Sequence, residues 1–247
     1  QSNTFSFYML ILRAAYNKAR RIGLIDRAAN PFGEVSFRID KTRKRAISPE
    51  TLRRLAKANF GKRRWLTLSR DLFMFSFYAR GMSFVDMAYL KRDAVQNGVL
   101  YYTRQKTGQL FSVRVTPPLQ ALIDRYRHCS PWMLPVMKCC AAGRKDGVLP
   151  EDLEPDMPAP ILYKRYKDAL SDYWYYLGII SEELGTEKRL TFNVARHSWA
   201  SLARNRGIPM AVISEGLGHT SEKTTTIYLE ELDARDIDQA NDIVIRL

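Results

Sequence analysis

Three short stretches of this chain gather residue types that can bind an anion, move a proton or attack an electrophile. Thr191-Phe-Asn-Val-Ala-Arg-His-Ser-Trp-Ala-Ser201 opens an apolar helical pattern with Arg196 and His197. Leu217-Gly-His219 follows a short apolar run, and Tyr228 closes Thr224-Thr-Thr-Ile-Tyr228, nine residues beyond His219. A guanidinium brings fixed charge and forked donors, an imidazole titrates near neutrality, and a phenol is a nucleophile once its proton is gone. Taken singly each has a plain structural reading. Arg196 can belong to an ion pair, His219 can close a turn, and Tyr228 is one of thirteen tyrosines suited to a core or rim. His197 follows Arg196 directly, so a helix turns it about 100° away, and it reads as a satisfied structural histidine. A fourth stretch, Phe77-Tyr-Ala-Arg-Gly-Met-Ser-Phe-Val-Asp86, places Arg80 and Ser83 in one of the most apolar parts of the chain.

Charge points to the partner. The formal net charge is +13, and residues 1 to 64 hold sixteen Lys or Arg against four Asp or Glu. A field concentrated at one end of the sequence suits a polyanion, nucleic acid before membrane, because phosphate neutralisation supplies most non-specific affinity. The plainer alternative is a basic surface that serves solubility. No apolar run approaches the roughly 20 residues of a membrane span, and no signal-peptide pattern is present, so the expected setting is cytosolic. Cys129, Cys139 and Cys140 form neither an even disulfide framework nor a C-x-x-C pair and read as reduced thiols. The opening Gln1-Ser2-Asn3 has the look of a cleaved tag ahead of a fragment, so further sequence on the N-terminal side is expected.

Together the stretches resemble the tyrosine recombinase (phage integrase) family, whose catalytic domain carries an H-x-x-R-H segment, a G-H turn and a nucleophilic tyrosine. The matching residues are Asn193-Val-Ala-Arg196-His197, Leu217-Gly218-His219 and Tyr228, with 23 residues from Arg196 to His219. The family's hairpin-turn lysine is matched by Lys106 in Gln105-Lys-Thr-Gly108. Its Pro-Phe segment between two domains is matched by Asn30-Pro-Phe32. The resemblance runs from about residue 5 to 245, and the Arg-Gly-Met-Ser variant is similar, more loosely, to integrases of Bacteroides-type mobile elements.

What the resemblance implies is strand cleavage and rejoining in site-specific DNA recombination, for integration, excision or inversion, with no metal or nucleotide cofactor. Arg196 and His219 would bind the non-bridging oxygens of the scissile phosphate, where cations and donors stabilise the pentavalent transition state. Tyr228 would attack phosphorus to give a 3′-phosphotyrosine, and Lys106 would protonate the leaving 5′-oxygen. The chain departs from the family twice. Aligning Gly81-Met-Ser-Phe-Val-Asp86 on the usual G-L-R-x-x-E puts Ser83 where a second phosphate-binding arginine is expected, and Asn193 stands where histidine or lysine is usual. Arg80, three positions earlier, is the expected source of the missing charge. Two alternatives remain open: a type IB topoisomerase-like relaxing enzyme, and a DNA-binding accessory protein whose pocket has decayed at Ser83 and Asn193.

These residues need elements to hold them. The reading is an α+β fold, mainly helical, with a small three-stranded antiparallel sheet. Residues 1–33 are expected to be the C-terminal end of a core-binding domain, and 34–247 the catalytic domain. A helix is expected over 5–22, then a basic linker over 34–48 in which Arg43, Lys44 and Arg45 contact phosphates. Ser48 and Pro49 form an N-cap and first helical position. Helices are expected over 68–80 and 85–91, and Asn97-Gly98 signals a hairpin. Strands follow over 99–104 and 110–115, then helices near 118–127, 160–177, 194–206, 209–216, 222–228 and 234–245. Residues 129–159 read as mostly loop. The last helix carries Ile237, Ala240, Val244 and Leu247 on one face, suited to exchange between protomers in a homotetramer on double-stranded DNA.

Overall fold

The run from residue 64 to 78 has apolar side chains on almost every face, and such a helix has to lie inside. In the computed structural model, which describes residues 2–26, 31–32, 46–127, 131–138, 155 and 157–219, it is helix α3, Arg64–Tyr78, with Leu66, Leu68, Leu72, Phe73, Met74 and Phe75 buried. Around it pack α2 (Pro49–Lys57), α5 (Pro117–Tyr126), α6 (Ala159–Glu183) and α7 (Phe192–Asn205). Short α4 (Phe84–Ala88) packs on α6, and α8 (Met210–Leu217) on α7. A carboxylate on so apolar a helix must be compensated. Asp71 accepts from Arg125 Nη1 at 2.6 Å and from the Tyr126 hydroxyl at 2.6 Å.

The chain divides into two units, Gln1–Arg43 and Lys44–Leu247. In the first, α1 (Ser2–Arg21) leaves Phe5, Phe7, Tyr8, Ile11 and Leu12 exposed, while Tyr16 meets Phe32 edge to face at 5.5 Å. The second unit begins at Lys44, and its first helix starts at the cap read from the sequence. Ser48 accepts from the Thr51 amide as the N-cap of α2, with Pro49 at the first turn.

The sheet runs β1 (Val95–Gln96), β2 (Val99–Thr103) and β3 (Leu110–Arg114), all antiparallel in that order. Asn97 and Gly98 both have positive φ, 50° and 75°, as a tight two-residue hairpin turn requires. Leu100 faces Val113 and Tyr102 faces Phe111, so one face of the sheet joins the core. The expected three-stranded antiparallel sheet and helical majority are therefore what the structure has. α3 begins four residues before its expected start, and α6 runs six residues past its expected end. Within the expected loop, Trp132, Met133, Leu134, Val136 and Met137 are buried, and the Met133 amide donates to the Leu90 carbonyl at 2.8 Å. The expected helices over 222–228 and 234–245, the linker cations Arg43, Lys44 and Arg45, the three cysteines and Tyr228 lie outside the described residues. Among the described residues no helix is long and apolar enough to cross a membrane.

Candidate active site

Arg196 sits on α7 with only 7% of its surface exposed, and a buried guanidinium persists only when its donors are used. Nη1 donates to the Gly81 carbonyl at 2.9 Å. Nη2 donates to the Leu217 carbonyl and lies 3.1 Å from His219 Nε2. Two chain ends are shaped to meet it. After α3, Arg80 and Gly81 both take left-handed backbone conformations, φ 59° and 74°, and the Gly81 and Met82 amides turn back onto the Ser76 carbonyl at 2.7 and 3.2 Å. The turn carries the Gly81 carbonyl to Arg196 and brings the glycine so close that a Cβ there would stand 2.7 Å from the Arg196 Cα. After α8, Gly218 is left-handed and the His219 amide returns to the Ser214 carbonyl at 3.0 Å, which sets the imidazole beside Arg196.

His219 is half-buried, and this loss of solvent, with Arg196, Arg104, Lys106 and His197 nearby, pushes its pKa down to about 4. It is neutral at pH 7, so Nε2 can accept from the Arg196 guanidinium. His197 itself is buried in α7. That helix is further fixed by Thr191, which caps it by accepting from the Val194 amide at 3.2 Å, and by Ser198, which accepts from the Ile47 amide at 3.0 Å.

Arg104, at the end of β2, is a residue the sequence reading did not single out. Its Nη1 donates to the Leu217 and Gly218 carbonyls at 2.9 and 2.7 Å. Two guanidinium groups thus share the Leu217 carbonyl, at the helix end where the backbone dipole is negative. The signal was present in strand alternation: Leu100, Tyr102 and Arg104 fall on one face, so an arginine extends the core-facing row.

A cavity of about 740 Å³ opens over this cluster, with Ser83, Arg104, Lys106, Lys167, Asn193 and Arg196 among its lining residues. Its described lining holds those four cations and no carboxylate, which makes it a seat for an anion. Lys106 is exposed on the β2–β3 turn, whose frame is the Arg104 amide on the Gln109 carbonyl and the Gly108 amide on the Arg104 carbonyl, each 2.8 Å. Asn193 lies one helical turn before Arg196, and its neighbour Phe192 stacks on Phe84 at 4.7 Å, joining the start of α7 to the start of α4. Ser83 is on the wall as the N-cap of α4, its hydroxyl donating to Asp86 Oδ2 at 2.6 Å. Arg80 is not among the described lining residues, but its charge acts on the Tyr102 hydroxyl together with those of Arg196 and Arg104.

Residues 151–235 match the model of the phage integrase family, a span that holds Asn193, Arg196, His219 and Tyr228 but neither Arg104 nor Lys106. A stretch of 56 residues is 45% identical to tyrosine recombinase XerC of Roseiflexus castenholzii (strain DSM 13941 / HLO8), covering 23% of this chain and 18% of that relative's length. The Tn1549 transposon integrase in complex with circular intermediate DNA is similar in structure, with a TM-score of 0.60 at 14% identity over 93% of this chain and 75% of that one. A lambda integrase tetramer bound to a Holliday junction gives 0.54 at 16% identity, over 90% and 59%. At such identities the likeness is one of fold, that of tyrosine recombinase catalytic domains.

Proposed function

We propose that this chain, which belongs to the tyrosine recombinase (phage integrase) family through its domain at residues 151–235, cleaves and rejoins double-stranded DNA through a 3′-phosphotyrosine. The observation that carries the reading is the pair of guanidiniums, Arg104 and Arg196, held on one carbonyl and lining a cationic cavity, with a neutral His219 against Arg196. A phosphodiester seated there takes its two non-bridging oxygens into the donors of Arg104, Arg196 and His219, with Asn193 and Ser83 as neutral neighbours. Arg104 supplies the charge that Ser83 leaves out.

The Tyr228 oxygen then bonds to phosphorus while the bond from phosphorus to the 5′-oxygen breaks. The phenol proton leaves to water, and the 5′-oxygen takes a proton from Lys106 Nζ. Rejoining runs the same exchange backwards from a free 5′-hydroxyl. Residues 1–33 are the end of a core-binding domain, which the exposed apolar side chains of α1 support. Arg43, Lys44 and Arg45 lie along phosphates and position the enzyme. The helix over 234–245 links protomers into a tetramer, an assembly supported by the similar lambda integrase structure. The setting is the cytoplasm, and the outcome is integration, excision or inversion of a mobile element.

The test is covalent capture. The chain is incubated with a random-sequence library of nicked duplexes whose short 3′ fragment diffuses away after cleavage, and DNA linked to protein is recovered under denaturing conditions. An adduct that disappears in Tyr228→Phe is the expected result. No adduct from any sequence turns the reading to an accessory DNA-binding protein. Adducts accompanied by relaxation of supercoils, with no strand exchange, turn it to a topoisomerase.

A further inference from the structure

The strand-cleavage reading seats one phosphate group and leaves most of the cavity over. Its 740 Å³ or so lies within the range of about 300–1,000 Å³ that encloses a whole drug-sized molecule, and a phosphate fills only a small part of that. The wall that the phosphate does not use comes from α6. Lys167, Ser171 and Trp174 recur at i, i+4 and i+7 on that helix, so one face runs about 10 Å along the cavity, from an ammonium to an indole.

Trp174 is 55% exposed, although tryptophan is a residue that folding tends to cover. Its ring is held all the same. The Arg189 guanidinium lies over it, 3.8 Å from the ring centroid, and Arg189 Nη2 donates to the Trp174 main-chain carbonyl at 3.2 Å. Gly178, one turn further along α6, makes room for this stack, since a Cβ there would stand 2.7 Å from Arg189 Cζ. Glycine weakens the interior of a helix relative to alanine, and here it admits the guanidinium. The result is a flat aromatic ring backed by a cation, open to solvent, in the wall of a cavity whose other described charges are all positive. Next to a phosphate, the group that such a ring receives is a nucleobase, because every base has a π-face to stack.

We propose that Trp174, backed by Arg189, is the stacking platform for the nucleobase adjoining the phosphate held by Arg104 and Arg196, with Lys167 on the next phosphate along. The inference rests on the strand-cleavage reading for the identity of that phosphate, but stacking itself needs no cleavage. The base must leave the duplex stack to reach the ring, and a strand end freed by cleavage makes that step least costly. A base so held keeps the end in place until it is rejoined.

Removing the base separates this role from a structural one. The full chain and its Trp174→Ala variant are compared, at limiting protein, on the captured nicked duplex and on two copies of it, each lacking the base on one side of the scissile phosphate. Trp174→Ala should slow adduct formation on the complete duplex by about 5- to 150-fold, the worth of one stacked base. The difference between variant and parent should vanish on one of the two abasic duplexes. Trp174→Phe keeps a flat ring and should recover most of the loss. A loss of the same size on all three duplexes, the mark of a fold or protein-contact residue, overturns the proposal, and so does no loss on any.

Binding provides a readout independent of cleavage. In the Tyr228→Phe background, affinity is measured at one salt concentration for a short thymidine oligonucleotide and for an abasic deoxyribose-phosphate chain of the same length. Trp174→Ala should weaken the first and leave the second unchanged; equal weakening of both, or of neither, overturns the proposal. Should the parent chain form no adduct at all, the cleavage reading fails by itself and the oligonucleotide result alone decides the role of Trp174.

Discussion

Replacing Gly81 by alanine probes how the end of α3 is fitted to Arg196. Two costs arise, and the structure allows them to be separated. Gly81 is left-handed at φ 74°, and an alanine in that region carries strain of about 1–2 kcal/mol. Its new methyl would also stand 2.7 Å from the Arg196 Cα and 2.8 Å from its Cβ, which neither partner can relieve by rotating a flexible tip. Overpacking of that kind costs about 1–3 kcal/mol, so the total is about 2–5 kcal/mol. Gly61 supplies the control: it is left-handed at φ 58° with nothing within 4 Å of the place a Cβ would take, so Gly61→Ala should carry the first cost alone. Urea unfolding of the parent and both variants measures the difference. With a slope of about 1–3 kcal/mol per molar urea, the two midpoints should differ by about 1 M. Adduct formation, assayed where both variants are folded, should fall in Gly81→Ala only, because the methyl displaces the arginine. Equal loss of stability in the two variants would refute the close approach and, with it, the claim that Gly81 shapes the pocket.

Other outcomes follow from the same geometry. Arg104→Gln should lower the adduct-forming rate by about 100- to 1000-fold, the loss of one donor aimed at the transition state, while Arg80→Gln should change it little; single-turnover kinetics on the captured duplex tell them apart. His219 should titrate by NMR with a midpoint near 4 rather than 6.5, because burial and neighbouring cations disfavour the imidazolium, and a bound duplex phosphate should raise it. In linkage terms, the stability associated with this neutral histidine is present above pH 6.5 and is lost as pH falls toward 4, measurable as a falling urea midpoint across that window. Changing Arg43, Lys44 and Arg45 together to glutamine should weaken binding to unrelated duplexes uniformly and reduce the slope of log affinity against log salt by about 2.7; an unchanged slope would remove these three from the phosphate contacts.

Much of the frame was legible because its causes are local. Asn97-Gly98 specifies its hairpin through backbone conformations that few pairs adopt, and Ser48-Pro49 starts α2 with a cap and a missing amide that lie within four residues. The Arg196, His219 and Lys106 set was legible through its resemblance to a family pattern; Arg196 and Lys106 line one cavity, His219 lies against Arg196, and Tyr228 is outside the described residues. What stayed hidden depends on partners far along the chain. Arg104 matters because its acceptors are carbonyls 113 and 114 residues away, and a carbonyl has no residue identity to read. Gly81 is required by a helix 115 residues on. Ser83 drew attention for a missing charge, while its spacing to Asp86, a helix-start signal, described what its hydroxyl does.

The bond from the Ile47 amide to Ser198 has a mechanical consequence. Ile47 falls within the stretch 34–48 read as the basic linker, and Ser198 lies two residues beyond Arg196 on the same helix. If duplex DNA lies along the linker cations as proposed, a pull on the chain at Ile47 reaches α7 within one turn of Arg196, so a load on the grip is felt by the chemistry.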